Sequence, residues 1–399
     1  MNAPCCFVMG IILGGIVIAG GPARAQVLTP TAAPAQNWVS MASSADGTKL
    51  AAVASYGSLY LSTNSGLSWS PAVTASSGTE PQRPWTSIAS SSDGERLVAV
   101  ANFAPLFTST NAGQTWRQTG PTAVWSSVAS SADGLKLVAV DSKGAVSLSS
   151  DGGETWSASP APALRWRSVA SSADGARLFA GSDYGTNYDQ VPSIYVSTNS
   201  GATWSITTAP SHPWQTISVS GDGTHIAAGT YGGLIYLSAD SGQTWTGAPV
   251  PSYRWGAVAA SKDGTRLVAA SWEGQVFVSA NAGQSWAAAA GPTAPWQAVA
   301  SSADGSRLFA GIYSASGGGI YAAQIAPVLG IKTSPAGTDI SWPASASDYG
   351  LEERADIVSG NWTAVATPPT PEAGMNHVVV DSSAGNHIYR LVRRQLAQQ

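Results

Sequence analysis

The chain is poor in the residues that do most covalent and metal chemistry. It has two cysteines, Cys5 and Cys6, and four histidines in 399 residues. Both cysteines lie in the first six residues, so a chain starting at Gln26 holds no disulfide, thiolate metal site or cysteine nucleophile. Between Gln26 and Ala326 the chain contains just His212 and His225, too few for a zinc site or a nucleophile–histidine–acid triad. Charged residues make up 11% of the chain and the net charge is −4, without the clustered Lys and Arg of a nucleic-acid footprint. No helix-period segment rich in Ala, Leu, Glu and Lys occurs, which excludes helical solenoids. No H-E-x-x-H, P-loop or dinucleotide-binding glycine pattern is present. We therefore expect no cofactor and no metal site.

One apolar run stands out. Residues 6–20, CFVMGIILGGIVIAG, precede Ala23-Arg24-Ala25, a small-residue cleavage pattern before Gln26. The run falls short of the ~20 residues needed to cross a bilayer. We expect residues 1–25 to be a signal peptide, the protein to be secreted, periplasmic or at the cell surface, and the mature chain to be a monomer without a membrane span.

What is abundant is Gly (43), Pro (24) and Trp (16), and the tryptophans are regularly spaced. The phrase W-x-x-V-A-S-S-A-D-G starts at Trp38, Trp85, Trp125, Trp166, Trp214, Trp255 and Trp296. Short β-prone runs separated by Gly, Asn and Asp follow each start. A period in the low forties with strand character predicts a β-propeller whose four-stranded blades pack face to face. A second phrase, S-x-N/D-x-G-x-S/T-W, ends at Trp69, Trp116, Trp156, Trp204, Trp245 and Trp286. Seven starts but six second phrases leave the last unit one strand short. Residues 27–37 supply that strand if the N-terminus closes the ring.

The second phrase resembles the Asp-box of bacterial neuraminidase repeats, the turn between the third and fourth strands of a blade. In repeat form the chain is similar to the seven-bladed photosystem II stability and assembly propellers. The resemblance implies an all-β fold: a seven-bladed propeller of four-stranded blades over residues 26–326, followed by a small β-sandwich-like module over 327–399. Asp151 and Asp240 keep the acid of the box, while Asn64, Asn111, Asn199 and Asn281 replace it. An Asn oxygen still accepts the turn's hydrogen bonds, so the box reads as a turn-former. Sialidases of this family carry an R-I-P segment and an arginine triad. This chain has Arg83-Pro84 alone, and Arg96, Arg177, Arg266 and Arg307 recur after D-G turns as blade-face residues.

Function is sought where the repeat breaks its own rule. The loops between second and third strands carry an aromatic in six of seven units: Tyr56, Phe103, Tyr184, Tyr231, Trp272 and Tyr313. They lie on the face opposite the boxes, where flat apolar surfaces with polar tips suit sugar rings or partner side chains. Packing between adjacent loops accounts for them equally well. The long loop of the fourth unit adds Tyr188 and Asp189, and the lead-in to the second adds Glu80 and Arg83. Glycoside hydrolysis needs two carboxylates facing one cleft; Asp141, Asp183 and Glu273 share a rim and are the candidates. We expect a non-enzymatic binding protein whose ligand, a protein, peptide or glycan, meets Tyr56, Phe103, Tyr184, Tyr188, Asp189, Tyr231, Trp272, Glu273 and Tyr313. The alternatives are a divergent glycan-active hydrolase and a structural cell-surface protein.

Overall fold

The computed structural model describes residues 26–73, 82–184, 191–314, 316–325, 330–334, 337–343, 349–354, 361–372, 375–380 and 388–393. Among the described residues all regular structure is β-strand. The chain divides into two compact units, one spanning Ala25–Ile325 and the other holding the C-terminal strands.

In the first unit each repeat folds as one antiparallel sheet. The third shows the plan. The strand Arg117–Ser130 pairs with Leu137–Asp141, which pairs with Val146–Ser149, which pairs with Ser157–Ala158. The phrase-opening tryptophan sits on the innermost strand, and all seven are at most 1% exposed. They pack between consecutive sheets. Trp38 of the first, for example, lies in one cluster with Ala298, Ala300, Phe309 and Ile320 of the seventh. Each indole buries roughly 200 Å², about 5 kcal/mol of gross transfer free energy. That is why a single blade cannot stand alone.

The D-G turns join the blades into a closed circle. The N–H of Ala45 donates to the carbonyl of Ser92, Ser92 to Ala132, Ala132 to Ala173, Ala173 to Gly221, Gly221 to Lys262, Lys262 to Ala303, and Ala303 back to Ala45, all at 2.6–2.8 Å. Seven units thus surround one axis. The turn itself is built locally: Ser44 Oγ donates to Asp46 Oδ1 at 2.6 Å and accepts the N–H of Lys49 at 3.0 Å. Gly47 follows in the left-handed region at φ 71°. A Cβ there would meet Arg307 Cδ of the neighbouring unit at 2.8 Å, so the cation after one D-G turn lies over the glycine of the next. Arg96, Arg177 and Arg266 do the same at Gly134, Gly223 and Gly305.

The last unit is completed from the other end of the chain. Thr29–Pro30 pairs antiparallel with Ala322 and Tyr321, and Leu28 donates its N–H to Ala290. The S-x-N-x-G-x-S/T-W phrase forms the hairpin before each outermost strand. Ser62 Oγ accepts the N–H of Gly66 at 2.9 Å and Asn64 Oδ1 accepts that of Ser68 at 2.9 Å. In the acid version Asp151 Oδ1 accepts the N–H of Thr155 at 3.0 Å. Asn and Asp hold the same turn.

The second unit contains two small sheets. One is made of Gly330–Ser334, Gly337–Pro343, Met375–Val380 and Thr370–Glu372; the other of Thr363–Ala364, Tyr349–Arg354 and Ile388–Arg393. Ile340, Trp342, Val378 and Val380 from the first and Leu351 and Tyr389 from the second share one apolar cluster. Burial there pushes the Tyr389 phenol up to about 12.

Candidate binding site at the channel mouth

At the end of the channel away from the boxes, every innermost strand carries the same irregularity. Pairing shifts register between Trp38 and Ser40, and likewise after Trp85, Trp125, Trp166, Trp214, Trp255 and Trp296. A β-bulge inserts one extra residue and re-aims its side chain. The extra residues are Val39, Thr86, Ser126, Arg167, Gln215, Gly256 and Gln297, and all seven line one cavity of about 590 Å³. The residue two after the tryptophan serves structure instead. Ser40 Oγ accepts the N–H of Ile88 in the next blade, and Ser87, Ser127, Ser168 and Thr216 repeat the contact.

The bulged ring is polar on one side. Arg167 Nη2 donates to Gln215 Oε1 at 3.1 Å, and Arg167 Nε lies 3.8 Å from Asp183 Oδ2. Burial pulls the Arg167 pKa below the usual arginine value, and Asp183 opposes that shift; the group stays a cation. Gln297 Oε1 is buried and has no hydrogen-bond partner among the described residues. A second cavity, about 600 Å³, shares Arg165, Arg167 and Gln215 with the first and adds Asp183, Tyr184, His212 and Tyr231. His212 stacks on Tyr236, whose Oη lies 2.8 Å from His212 Nε2.

The six expected aromatics separate into two sets. The residues paired with the phrase tryptophans are Ala54, Ala101, Asp141, Ser182, Thr230, Ser271 and Ile312. The position just after them holds Tyr231, Trp272 and Tyr313 in the last three blades. Each of these donates its N–H to the carbonyl of the residue preceding the tryptophan: Pro213, Arg254 and Pro295. Their rings form a ladder. The Arg254 guanidinium carbon lies 4.5 Å from the Tyr231 ring and 5.2 Å from that of Trp272, and Trp272 lies 5.5 Å from Tyr313. Tyr56, Phe103 and Tyr184 stand one residue further on. Tyr56 and Phe103 adopt φ of 53° and 59°, and both are more than 70% exposed. Bulky residues hold that conformation at a cost of about 1–3 kcal/mol. The one-residue offset decides which rings join the ladder, but not exposure alone: Tyr231 within it is 51% exposed, and Tyr184 outside it is half-buried. Tyr56, Trp272 and Tyr313 line the first cavity, Tyr184 and Tyr231 the second, and Phe103 neither.

The three rim carboxylates do not converge. Asp141 is buried and closes its own hairpin, accepting the N–H groups of Lys143 and Ala145 at 2.9 and 2.7 Å. Asp183 accepts the N–H of Tyr184 and faces Arg167. Glu273 accepts the backbone N–H of Arg254 at 2.9 Å. Glu80, Tyr188 and Asp189 lie outside the described residues. The bulged ring and Arg165 are the site residues that sequence reasoning passed over. A signal existed: the residue after the tryptophan is the most variable of an otherwise fixed phrase.

Closed ring, radial antiparallel sheets and central channel define a β-propeller. No protein-family model matches the chain, and no curated protein matches it. Among solved structures it is similar to YCF48 from Cyanidioschyzon merolae, at 15% identity and a TM-score of 0.56 over 75% of this chain and 98% of that one. It is similar to YCF48 bound to D1 peptide, at 17% identity and 0.56 over 76% and 97%. It is also similar to the GH74 xyloglucanase from Xanthomonas campestris, at 16% identity and 0.58, covering 80% of this chain but 59% of the enzyme. At these identities the likeness is one of fold.

Proposed function

We propose that this chain is a non-enzymatic binding propeller that seats an extended peptide segment of a partner protein across the channel mouth. The observation carrying this is the pair of adjoining cavities that share Arg165, Arg167 and Gln215 and are flanked by the aromatic ladder. Such a surface offers flat apolar anchors beside fixed polar groups, the combination that concentrates binding energy in protein interfaces. A similar propeller whose structure contains D1 peptide supports the reading.

Hydrolysis of a glycosidic bond needs an acid and a second carboxylate about 5–10 Å apart. Among the described residues lining the two cavities the sole carboxylate is Asp183, and it faces Arg167. This favours binding over catalysis.

We extend the proposal to location and domains. The apolar run 6–20 and Ala23-Arg24-Ala25 support export with cleavage before Gln26, and the separate clustering of the C-terminal strands supports a distinct module over 327–399. N-terminal sequencing of the exported protein tests the first point.

The binding reading is tested by selecting a random phage-displayed peptide library on the immobilised full chain, with the Arg167→Ala/Gln215→Ala double variant as control. Enrichment of related peptides on the wild type and not on the variant is expected. No enrichment, or equal enrichment on both, contradicts it.

A further inference from the structure

Arg254 has two aromatic rings against its guanidinium, where Arg83, which shares a buried Nε unmet among the described residues, has one in Phe107. Tyr231 and Trp272 cover the two faces of its guanidinium at 4.5 and 5.2 Å. Tyr231 is its cross-strand partner, so the stacking is fixed by the sheet register. Trp272 lines the first cavity and Tyr231 the second, so the guanidinium, which itself lines neither, packs against one lining ring of each. With its faces occupied, the group has only its edge left for hydrogen bonding. Its Nε is buried and meets no acceptor among the described residues. The nearby carboxylate, Glu273, takes the backbone N–H of Arg254 instead.

A buried charged donor without an acceptor is costly, and a structural arginine is ordinarily held by carbonyls or a carboxylate in its plane. Here the plane is fixed and the acceptor is missing. We infer that the Arg254 edge takes a carboxylate from the bound segment, the side chain of an aspartate or glutamate; this rests on the peptide-binding reading above. A planar carboxylate meets a guanidinium edge with two parallel hydrogen bonds, a geometry an ammonium cannot reproduce. Charge agrees: Arg165 and Arg167 line both cavities, although the chain as a whole is net −4. A cationic mouth on an acidic protein attracts acidic segments selectively.

The test uses peptides recovered from the library selection, each compared with its acid-to-amide version on the full chain, on Arg254→Lys and on Arg254→Ala. Thermal unfolding of both variants checks the fold. For the wild type, the amide version is expected to bind about ten- to a hundredfold more weakly. Arg254→Lys, which keeps the charge, loses most of that discrimination. If peptides bind but acid and amide versions bind alike, or if Arg254→Lys discriminates as the wild type does, the carboxylate assignment is overturned and the peptide reading stands. If no peptide is recovered, both fall. Retention on immobilised polygalacturonate by the wild type but not Arg254→Lys, without peptide discrimination, would assign the arginine to an acidic glycan and overturn the proposal.

Discussion

Ala303 donates its backbone N–H to the carbonyl of Ala45 at 2.8 Å, joining the last repeat to the first. The same bond links every other consecutive pair of D-G turns, so the ring has no weak seam at that end. At the outer edge the seam is made by other means: Leu28, 6% exposed, packs with Val276, Val278 and Trp296 beside the strand Thr29–Pro30. Leu28→Ala is expected to lower unfolding free energy by about 2–5 kcal/mol, the cost of a cavity in a packed core. Denaturant unfolding measures it; a loss below about 1 kcal/mol would mean that the D-G circle closes the ring without the N-terminal strand.

The bulge position tolerates a side chain only where the next blade leaves room. A Cβ on Gly256 would lie 2.6 Å from the Trp296 carbonyl oxygen, whereas one on Gly232, at φ 80°, would meet nothing within 4 Å. Gly256→Ala should therefore cost about 1–3 kcal/mol through overpacking. Gly232→Ala should cost about 1 kcal/mol from backbone conformation alone. Urea midpoints of the two variants give the order, and a larger loss at Gly232 would contradict the packing account.

The turn carboxylates set the acid limit of stability. The Ser220 hydroxyl and the Thr224 N–H hold Asp222 at about 2, and the Thr155 and Thr244 hydroxyls and N–H groups hold Asp151 and Asp240 at about 2. Their folded values lie below the ordinary 3.8, so their contribution is complete above that value and lost as pH falls towards about 2. Urea midpoints should stay level from neutral pH to about 4 and fall between about 4 and 2. Asp151→Asn/Asp240→Asn should leave the neutral midpoint nearly unchanged, because four boxes already use Asn, and should shrink the acid decline. An undiminished decline would place the acid sensitivity elsewhere.

The repeat made the fold readable. Seven tryptophan starts against six boxes predicted a borrowed strand, and Thr29–Pro30 is that strand. The candidate site was less readable, for a physical reason. Alternation along a strand puts Trp166 and Ser168 on one face and Arg167 on the other, but the bulge changes the count, and a bulge has no compositional mark. The same one-residue sensitivity made six aromatics look equivalent by spacing. Strand pairing separates the laddered Tyr231, Trp272 and Tyr313 from Tyr56 and Phe103, which stand one residue further along their strands. The unmet edge of Arg254 cannot be read from spacing, because it depends on the rings packed against it.

The central claim is that binding takes place at the bulged, ladder-flanked mouth and not at the box face. The most direct measurement is calorimetric titration of one library-selected peptide into the full chain, Trp272→Ala and Asp240→Asn. The account predicts a loss of about tenfold or more for Trp272→Ala, as for an anchor at an interface centre, and unchanged affinity for Asp240→Asn. Full affinity in Trp272→Ala with a loss in Asp240→Asn would contradict it.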